Sequence, residues 1–239
     1  MGLGSDLSSE SLEEAMPGRP VRAYPAILST SADAFAWARA GAPEGALVVA
    51  DYQASPRGRA GLPWEVRPGE GLGFSLVLRP ELPPEREGWL YTVAVSGIAD
   101  VLGAEAKIRW PDEVYRHGTR AAGIGVHVEL APQATSWAVV TALVHEARPA
   151  RGPLLARLVA AIEERYHSDA ESVLSDYLPR CETLGRRLRA RLIPLGPSGP
   201  QVVGVAVNCL DDGALVLETD RGSRVAVRPQ NLGLLEEAL

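Results

Sequence analysis

The densest chemistry in the sequence lies in the run Tyr52-Gln53-Ala54-Ser55-Pro56-Arg57-Gly58-Arg59-Ala60-Gly61-Leu62-Pro63-Trp64. Arginines alternating with glycines in a loop place forked hydrogen-bond donors beside a backbone that can approach an anion closely, which suits a phosphate. The plainer reading of the same composition is a solvated loop. A second cationic pair is Lys107 and Arg109, two residues apart, so that in a strand both side chains share one face about 6–7 Å apart. Of the 24 basic residues, Lys107 is the only lysine. A coding drift towards arginine accounts for the bias but would be expected to remove Lys107 too. Other chemistries are poorly served. Cys181 and Cys209 lack C-x-x-C spacing and read as small buried residues. His117, His127, His145 and His167 show no i, i+4 pairing, so no metal is expected. The glycines of residues 69–73 have neither the spacing nor the following helix of a dinucleotide fingerprint and read as a turn, and neither a P-loop nor a Gly-x-Ser-x-Gly elbow occurs.

The elements that must position these residues follow from apolar periodicity and turn residues. Residues 1–20 read as a disordered or loosely packed leader ending at Pro17, Gly18 and Pro20. Ser29, Thr30 and Ser31 offer N-caps to a helix from Ala32 to Ala40, closed by Gly41 and Pro43. Leu47–Ala50 is an apolar strand, the Arg/Gly run a loop, and Phe74–Leu78 a strand again. Glu85–Leu102 has helical spacing. Ala106–Trp110 is a strand stopped by Pro111, and Ala121–Leu130 and Trp137–Val144 are two further strands. Helices over Leu154–Tyr166 and Ala170–Leu178 end the first unit. Beyond Leu184 come short strands over 187–193, 202–208, 214–218 and 224–227, punctuated by glycine. The expectation is an α+β fold, a mixed sheet flanked by helices over residues 20–182, with a small C-terminal β-barrel domain over 183–239.

Bulk composition narrows the function classes. Hydrophobic residues at 46% and charged residues at 23% fit an ordinary globular chain rather than a disordered one. A net charge of −6 argues against DNA as a partner, since duplex affinity comes from phosphate neutralisation. Arg180, Arg186, Arg187, Arg189 and Arg191 form the one basic cluster, read as a solvated strand edge in preference to a partner-facing patch. No apolar run reaches membrane length, and the acidic N-terminus has no signal-peptide pattern, so a cytoplasmic location is expected.

The Arg/Gly run resembles the Gln-x-x-Gly-Arg-Gly-Arg-x-Gly-Arg-x-Trp loop of biotin protein ligases, with Gln53, Arg57, Gly58, Arg59, Gly61 and Trp64 at matching spacing. Further landmarks fall in order. Ser29-Thr30 is similar to the family's Ser-Thr-Asn, Gly71-Leu72 with Phe74-Ser75 to its Gly-x-x-Leu-x-x-Ser, and Arg109-Trp110-Pro111-Asp112-Glu113 to its Lys-Trp-Pro-Asn-Asp. Ala122-Gly123-Ile124 with Glu129 resembles its Ala-Gly-Ile-x-x-Glu, with two extra residues. Leu184-Gly185-Arg186, Gly204-Val205-Ala206 and Gly213-Ala214-Leu215 resemble its C-terminal β-domain. There is no room before Ser29 for the winged helix of the repressor members, so the resemblance implies the form without it.

What the resemblance implies is ATP-dependent activation of biotin to an acyl-adenylate and transfer to a lysine of a biotin carboxyl carrier domain or related acyl carrier protein, with Mg2+ as the counter-ion of ATP and a homodimer possible. By the same resemblance Gln53, Ser29 and Thr30 serve the biotin head, Arg57 and Arg59 the phosphate and loop closure, and Trp64 the wall over the adenine. Gly58, Gly61 and Gly123 complete the binding set. Two departures stand out. The family's catalytic lysine position is Arg109, and arginine is not a neutral exchange for a compact point charge. The family's Gly-x-Gly-x-Asn strand should fall near residues 140–145, where Thr141, Leu143 and Val144 stand instead. Two readings of Lys107 stand: an exposed residue at the start of its strand, or a partial replacement for the missing lysine that reaches the carboxylate while Arg109 holds phosphate oxygens. Two alternatives remain at this stage: a ligase fold that binds a carrier or nucleotide without turnover, and a ligase or transferase acting on lipoate or octanoate.

Overall fold

The computed structural model describes residues 4–59, 64, 70–131, 135–145, 147, 150–196 and 198–238. A seven-stranded mixed sheet is built from β1 (Val21–Tyr24), β2 (Leu47–Ala50), β3 (Leu72–Leu78), β4 (Ala106–Arg109), β5 (Glu113–Arg116), β6 (Thr119–Leu130) and β7 (Thr135–Val144). Its order is β1-β2-β3-β7-β6-β5-β4. β1 and β2 pair in parallel and every other neighbour is antiparallel. The α+β class expected from the sequence is therefore the observed one.

Side-chain alternation divides the sheet between two layers. On one face Val48, Val77, Trp137 and Val139 pack against α2 (Thr30–Arg39) through Ala34 and Ala38. On the other, Phe74, Leu76, Val140, Ala142 and Ile124 pack against α3 (Trp89–Leu102) and α4 (Arg151–His167). Trp89 to Ala99 is buried all round, because α3 lies between the sheet and α4. Gly97 lets the two helices meet: a Cβ there would lie 2.7 Å from the Cα and N of Ile162. α5 (Ala170–Tyr177) follows, N-capped by Asp169, whose carboxylate accepts from the Ser172 amide at 2.8 Å.

The glycine-punctuated tail is a five-stranded antiparallel sheet of β8 (Arg187–Leu192), β9 (Gln201–Cys209), β10 (Leu215–Glu218), β11 (Arg224–Val227) and β12 (Leu232–Glu237), in the order β11-β10-β9-β8-β12. One apolar core runs through both sheets, from Ile108 and Trp110 to Leu188, Ala190, Ala206 and Leu215. Cys181 and Cys209 are both buried and free.

Three expectations need correction. Residues 4–20 are not loosely packed. A 3-10 turn at Ser5–Leu7 leads into α1 (Ser9–Ala15), capped by the Ser8 hydroxyl accepting from the Ser11 amide at 3.2 Å, and Leu7 and Leu12 are fully buried. An ionic latch fixes this segment to α4, with Arg151 donating to Asp6 through Nε at 2.9 Å and Nη2 at 2.8 Å. The Arg151 guanidinium holds the Asp6 carboxyl down at about 2. Two leucines in an acidic stretch are too few to give a visible apolar period. The helix from Glu85 is also broken: a 3-10 turn at Pro84–Arg86 precedes α3, which starts at Trp89 after Gly88. The arginine cluster is not at a strand edge, because β8 pairs with β9 on one side and with β12 on the other. Arg180 meets Asp100, Arg187 meets Asp220 and Arg191 meets Glu236 at 2.7–2.9 Å, pairs that contribute little stability at a surface.

Candidate functional site

The α2 face of the sheet holds a cavity of about 540 Å³ at the N-terminus of α2, within the range of small-molecule sites. Its walls come from Leu28, Ser29, Ser31, Ala32 and Phe35 on one side and from Ser55, Arg57 and Gly58 of the Arg/Gly loop on another. Gly125, Val126 and His127 of β6 and Thr141 of β7 form the rest. Phe35, His127 and Trp137 form an aromatic group at one edge, with centroids 4.3 Å apart for Phe35–His127 and 5.8 Å for His127–Trp137. Burial pushes the His127 imidazole below its ordinary value.

Beneath the cavity runs a chain of buried polar groups. Gln53 Oε1 accepts from the Thr30 amide at 2.8 Å and from Thr30 Oγ1 at 3.0 Å. Ser75 Oγ donates to Thr30 Oγ1 at 2.9 Å, and Ser75 Oγ and Thr141 Oγ1 lie 2.9 Å apart. The register makes this possible, since Ser75 and Gly125 both stand opposite Thr141 on neighbouring strands. Ser29 Oγ and Ser31 Oγ are 2.7 Å apart, so Ser29 spends its hydroxyl there and does not cap α2. Gln53 is held over Gly73, where any Cβ would collide with its amide nitrogen.

The Arg/Gly loop is fixed by two close approaches. Trp64 lies against Gly58, where a side chain would overlap the indole, and a Cβ on Gly125 would come within 3.1 Å of the Gly58 carbonyl carbon. Arg57 and Gly58 thus face the cavity, while Arg59 turns the other way. It is 7% exposed, pairs with Asp112 at 3.2 Å and donates to the Leu232 carbonyl on β12. Burial raises the Asp112 carboxyl to about 6 despite the opposing Arg59 charge. Gly61 lies outside the described residues.

A second cavity, of about 460 Å³, opens between the two sheets. Arg59, Trp64, Arg109, Trp110, Asp112 and Arg120 line it from the large sheet and its loop, and Leu234 and Glu236 from β12. Arg109 donates through Nε to Glu182 and lies over the Tyr115 ring, 3.7 Å from its centroid. Gly123 gives the Arg120 guanidinium its space, and Arg120 pairs with Glu113 at 3.1 Å. Lys107 is exposed further along β4 and is not in the lining of either cavity.

The structure therefore brings Ser29, Arg57 and Gly58 to one cavity, with Thr30 and Gln53 in the hydrogen-bond chain beneath it, and Arg59, Trp64 and Arg109 to the other, where Gly123 lies against Arg120. Of the β7 residues that stand where the family's glycines were expected, Thr141 lines the first cavity, opposite Gly125. Sequence reasoning missed Gly125, Ser75 and Thr141, because only the cross-strand register makes them neighbours; the alternation of β6 was visible, but not what stood opposite.

No family model matches the chain. The biotin--[acetyl-CoA-carboxylase] ligase of Mycobacterium tuberculosis (strain H37Rv) is 30% identical over 225 residues, which cover 83% of this chain and 82% of that protein. The bifunctional ligase/repressor BirA of Bacillus subtilis (strain 168) is 26% identical over 242 residues, covering 88% and 73%. Among solved structures, the biotin protein ligase from Aquifex aeolicus in complex with biotin and ATP matches with a TM-score of 0.71 at 19% identity, over 92% of this chain and 99% of that one. The biotin acetyl coenzyme A carboxylase synthetase from Helicobacter pylori, with bound biotinylated ATP, matches with a TM-score of 0.61 at 19% identity, over 87% and 100%. At such identities these two carry the fold alone.

Proposed function

The chain belongs to the biotin protein ligase family, and from that premise we propose that it adenylates biotin with ATP and passes the acyl group to a lysine of a biotin carboxyl carrier domain. The observation that carries this reading is the placing of the Arg/Gly loop: Arg57 and Gly58 line the cavity over the hydroxyl chain, and Arg59, next in sequence, lines the cavity between the sheets, where four arginines are balanced by Asp112, Glu113, Glu236 and Glu237. One stretch of backbone therefore separates a site for an acyl head from a site for phosphate.

A carboxylate must attack the α-phosphate against charge repulsion, so fixed cations are needed where charge builds on phosphorus. In this reading the biotin head occupies the α2-side cavity and its carboxylate reaches the loop. Arg57 and the loop backbone steady the carboxylate, while Arg109, held by Glu182 and stacked on Tyr115, meets phosphate oxygens. The carboxylate oxygen bonds to the α-phosphorus, the bond from that phosphorus to the bridging oxygen of the β-phosphate breaks, and pyrophosphate departs; Mg2+ brought in with ATP would offset its charge. The carrier amine then attacks the acyl carbon and AMP leaves. Lys107 stands exposed on the same strand as Arg109, outside the lining of either cavity.

The test is pyrophosphate release that requires both biotin and ATP, with label appearing on a biotin carboxyl carrier domain. Lipoate and octanoate serve as comparison substrates. Release supported by neither biotin nor these acids would overturn the reading, and Arg109→Ala should lower the rate by about 100- to 1000-fold, the usual loss for a transition-state donor.

A further inference from the structure

The buried hydroxyls at the base of the α2-side cavity have only one consistent hydrogen-bond direction. The Thr30 amide can only donate, so the Gln53 atom it meets at 2.8 Å must be the side-chain oxygen, an acceptor. Thr30 Oγ1 lies 3.0 Å from the same oxygen and must spend its single hydrogen there. Ser75 Oγ, 2.9 Å from Thr30 Oγ1, then has to donate to it. Ser75 has no second hydrogen, so across its 2.9 Å contact with Thr141 it accepts and Thr141 donates. The direction set at Gln53 is thus carried along three hydroxyls to the cavity wall, where Thr141 has lone pairs left and no hydrogen to offer.

We propose that Thr141 is a specificity-determining residue whose hydroxyl accepts a hydrogen bond from an N–H of the bound ligand, so that the cavity selects a head group carrying an N–H donor, such as a ureido ring, over one with an acceptor or an alkyl group there. The proposal rests on the reading of this cavity as the biotin site. Thr141 is 4% exposed and Ser75, Thr30 and Gln53 are 0–3% exposed. Water is thus kept from reorienting the chain, and an unmatched acceptor at its end is costly. Thr141 lines the cavity itself, together with Gly125 directly opposite it on β6, which lets the Gly58 backbone close against the sheet. At the mouth the Ser29–Ser31 pair shares one hydrogen across its 2.7 Å contact and keeps the other for a ligand acceptor. One acceptor and one available donor match the N–H and C=O of a urea or a cis amide.

The test measures binding of biotin and of its two N-methylated ureido isomers to the wild-type chain and to Thr141→Val, Thr141→Ser and Ser75→Ala, each checked by thermal melting. Thr141→Val, which keeps shape and removes the acceptor, should weaken biotin binding about ten- to a hundredfold, and Thr141→Ser should restore it to within about threefold. For the isomer whose methyl blocks the bonded nitrogen, wild type should already bind weakly and Thr141→Val should add no further loss, the coupling expected of a direct contact. Ser75→Ala frees the Thr141 hydrogen and should narrow the preference for biotin over that isomer; it reads the same chain should Thr141→Val fail to fold. Biotin binding by Thr141→Val within twofold of wild type would overturn the proposal while leaving the ligase reading intact. A wild-type chain that binds no biotin would overturn both.

Discussion

Asp112 is a carboxyl whose environment opposes its charge. It lies between Arg59 and the second cavity, and burial outweighs the arginine to raise its carboxyl to about 6. A carboxyl whose pKa is higher in the folded chain than in the unfolded one binds more protons when folded, so stability falls as pH rises from about 4 to about 6. Above pH 6 the cost is on the order of 3 kcal/mol. Asp112→Asn should flatten this part of the stability curve, and thermal melts at pH 4 and pH 6.5 check it: the wild type should lose more between the two than the variant. The residues with a motif behind them, Gln53, Thr30 and the arginine loop, were legible in the sequence because their chemistry is local. Asp112 was legible as a position, but its pKa depends on Arg59, fifty-three residues away, and on burial beneath β12.

At the scale of elements, the strands with clean alternation or continuous apolar runs were legible: β2, β3, β6 and β7 fall where periodicity places them. Three were not. β1 is an edge strand with no fully buried position, β5 buries only Val114, and β12 carries Gly233 at a shift in its pairing with β8, so none gives a period to read. The helix pair α3 and α4 offers a test in which propensity and packing disagree. Alanine is favoured over glycine inside a helix by about 1 kcal/mol, yet at Gly97 a Cβ would meet the backbone of Ile162 at 2.7 Å, which no side-chain movement relieves. Overpacking of this kind costs about 1–3 kcal/mol. Gly97→Ala should therefore destabilise the chain in chemical denaturation; a stabilised variant would mean that the helices separate freely.

Over the whole molecule, the C-terminal sheet completes the second cavity. Trp110 Nε1 donates to the Gly213 carbonyl at 2.8 Å, the Trp110 amide to Thr183 Oγ1 at 2.9 Å, and Arg59 reaches the Leu232 carbonyl. Gly213, at φ +80, lies so close to Gly88 that no side chain fits there. The sequence announced both sheets but not this seam, because each contact joins positions more than seventy residues apart. Where the cations sit over the molecule also bears on its own chemical safety. An acyl-adenylate is a mixed anhydride that a stray amine can open, and arginine supplies surface charge without a comparable nucleophile. Lys107, exposed on β4 two residues from Arg109, is the only side-chain amine in the chain. On the proposed reading, escaping acyl groups have one side-chain address on this chain. Incubation with biotin and ATP but no carrier, followed by peptide mass spectrometry, should find self-biotinylation at Lys107 and at the chain's α-amino group alone, and Lys107→Arg should leave only the latter.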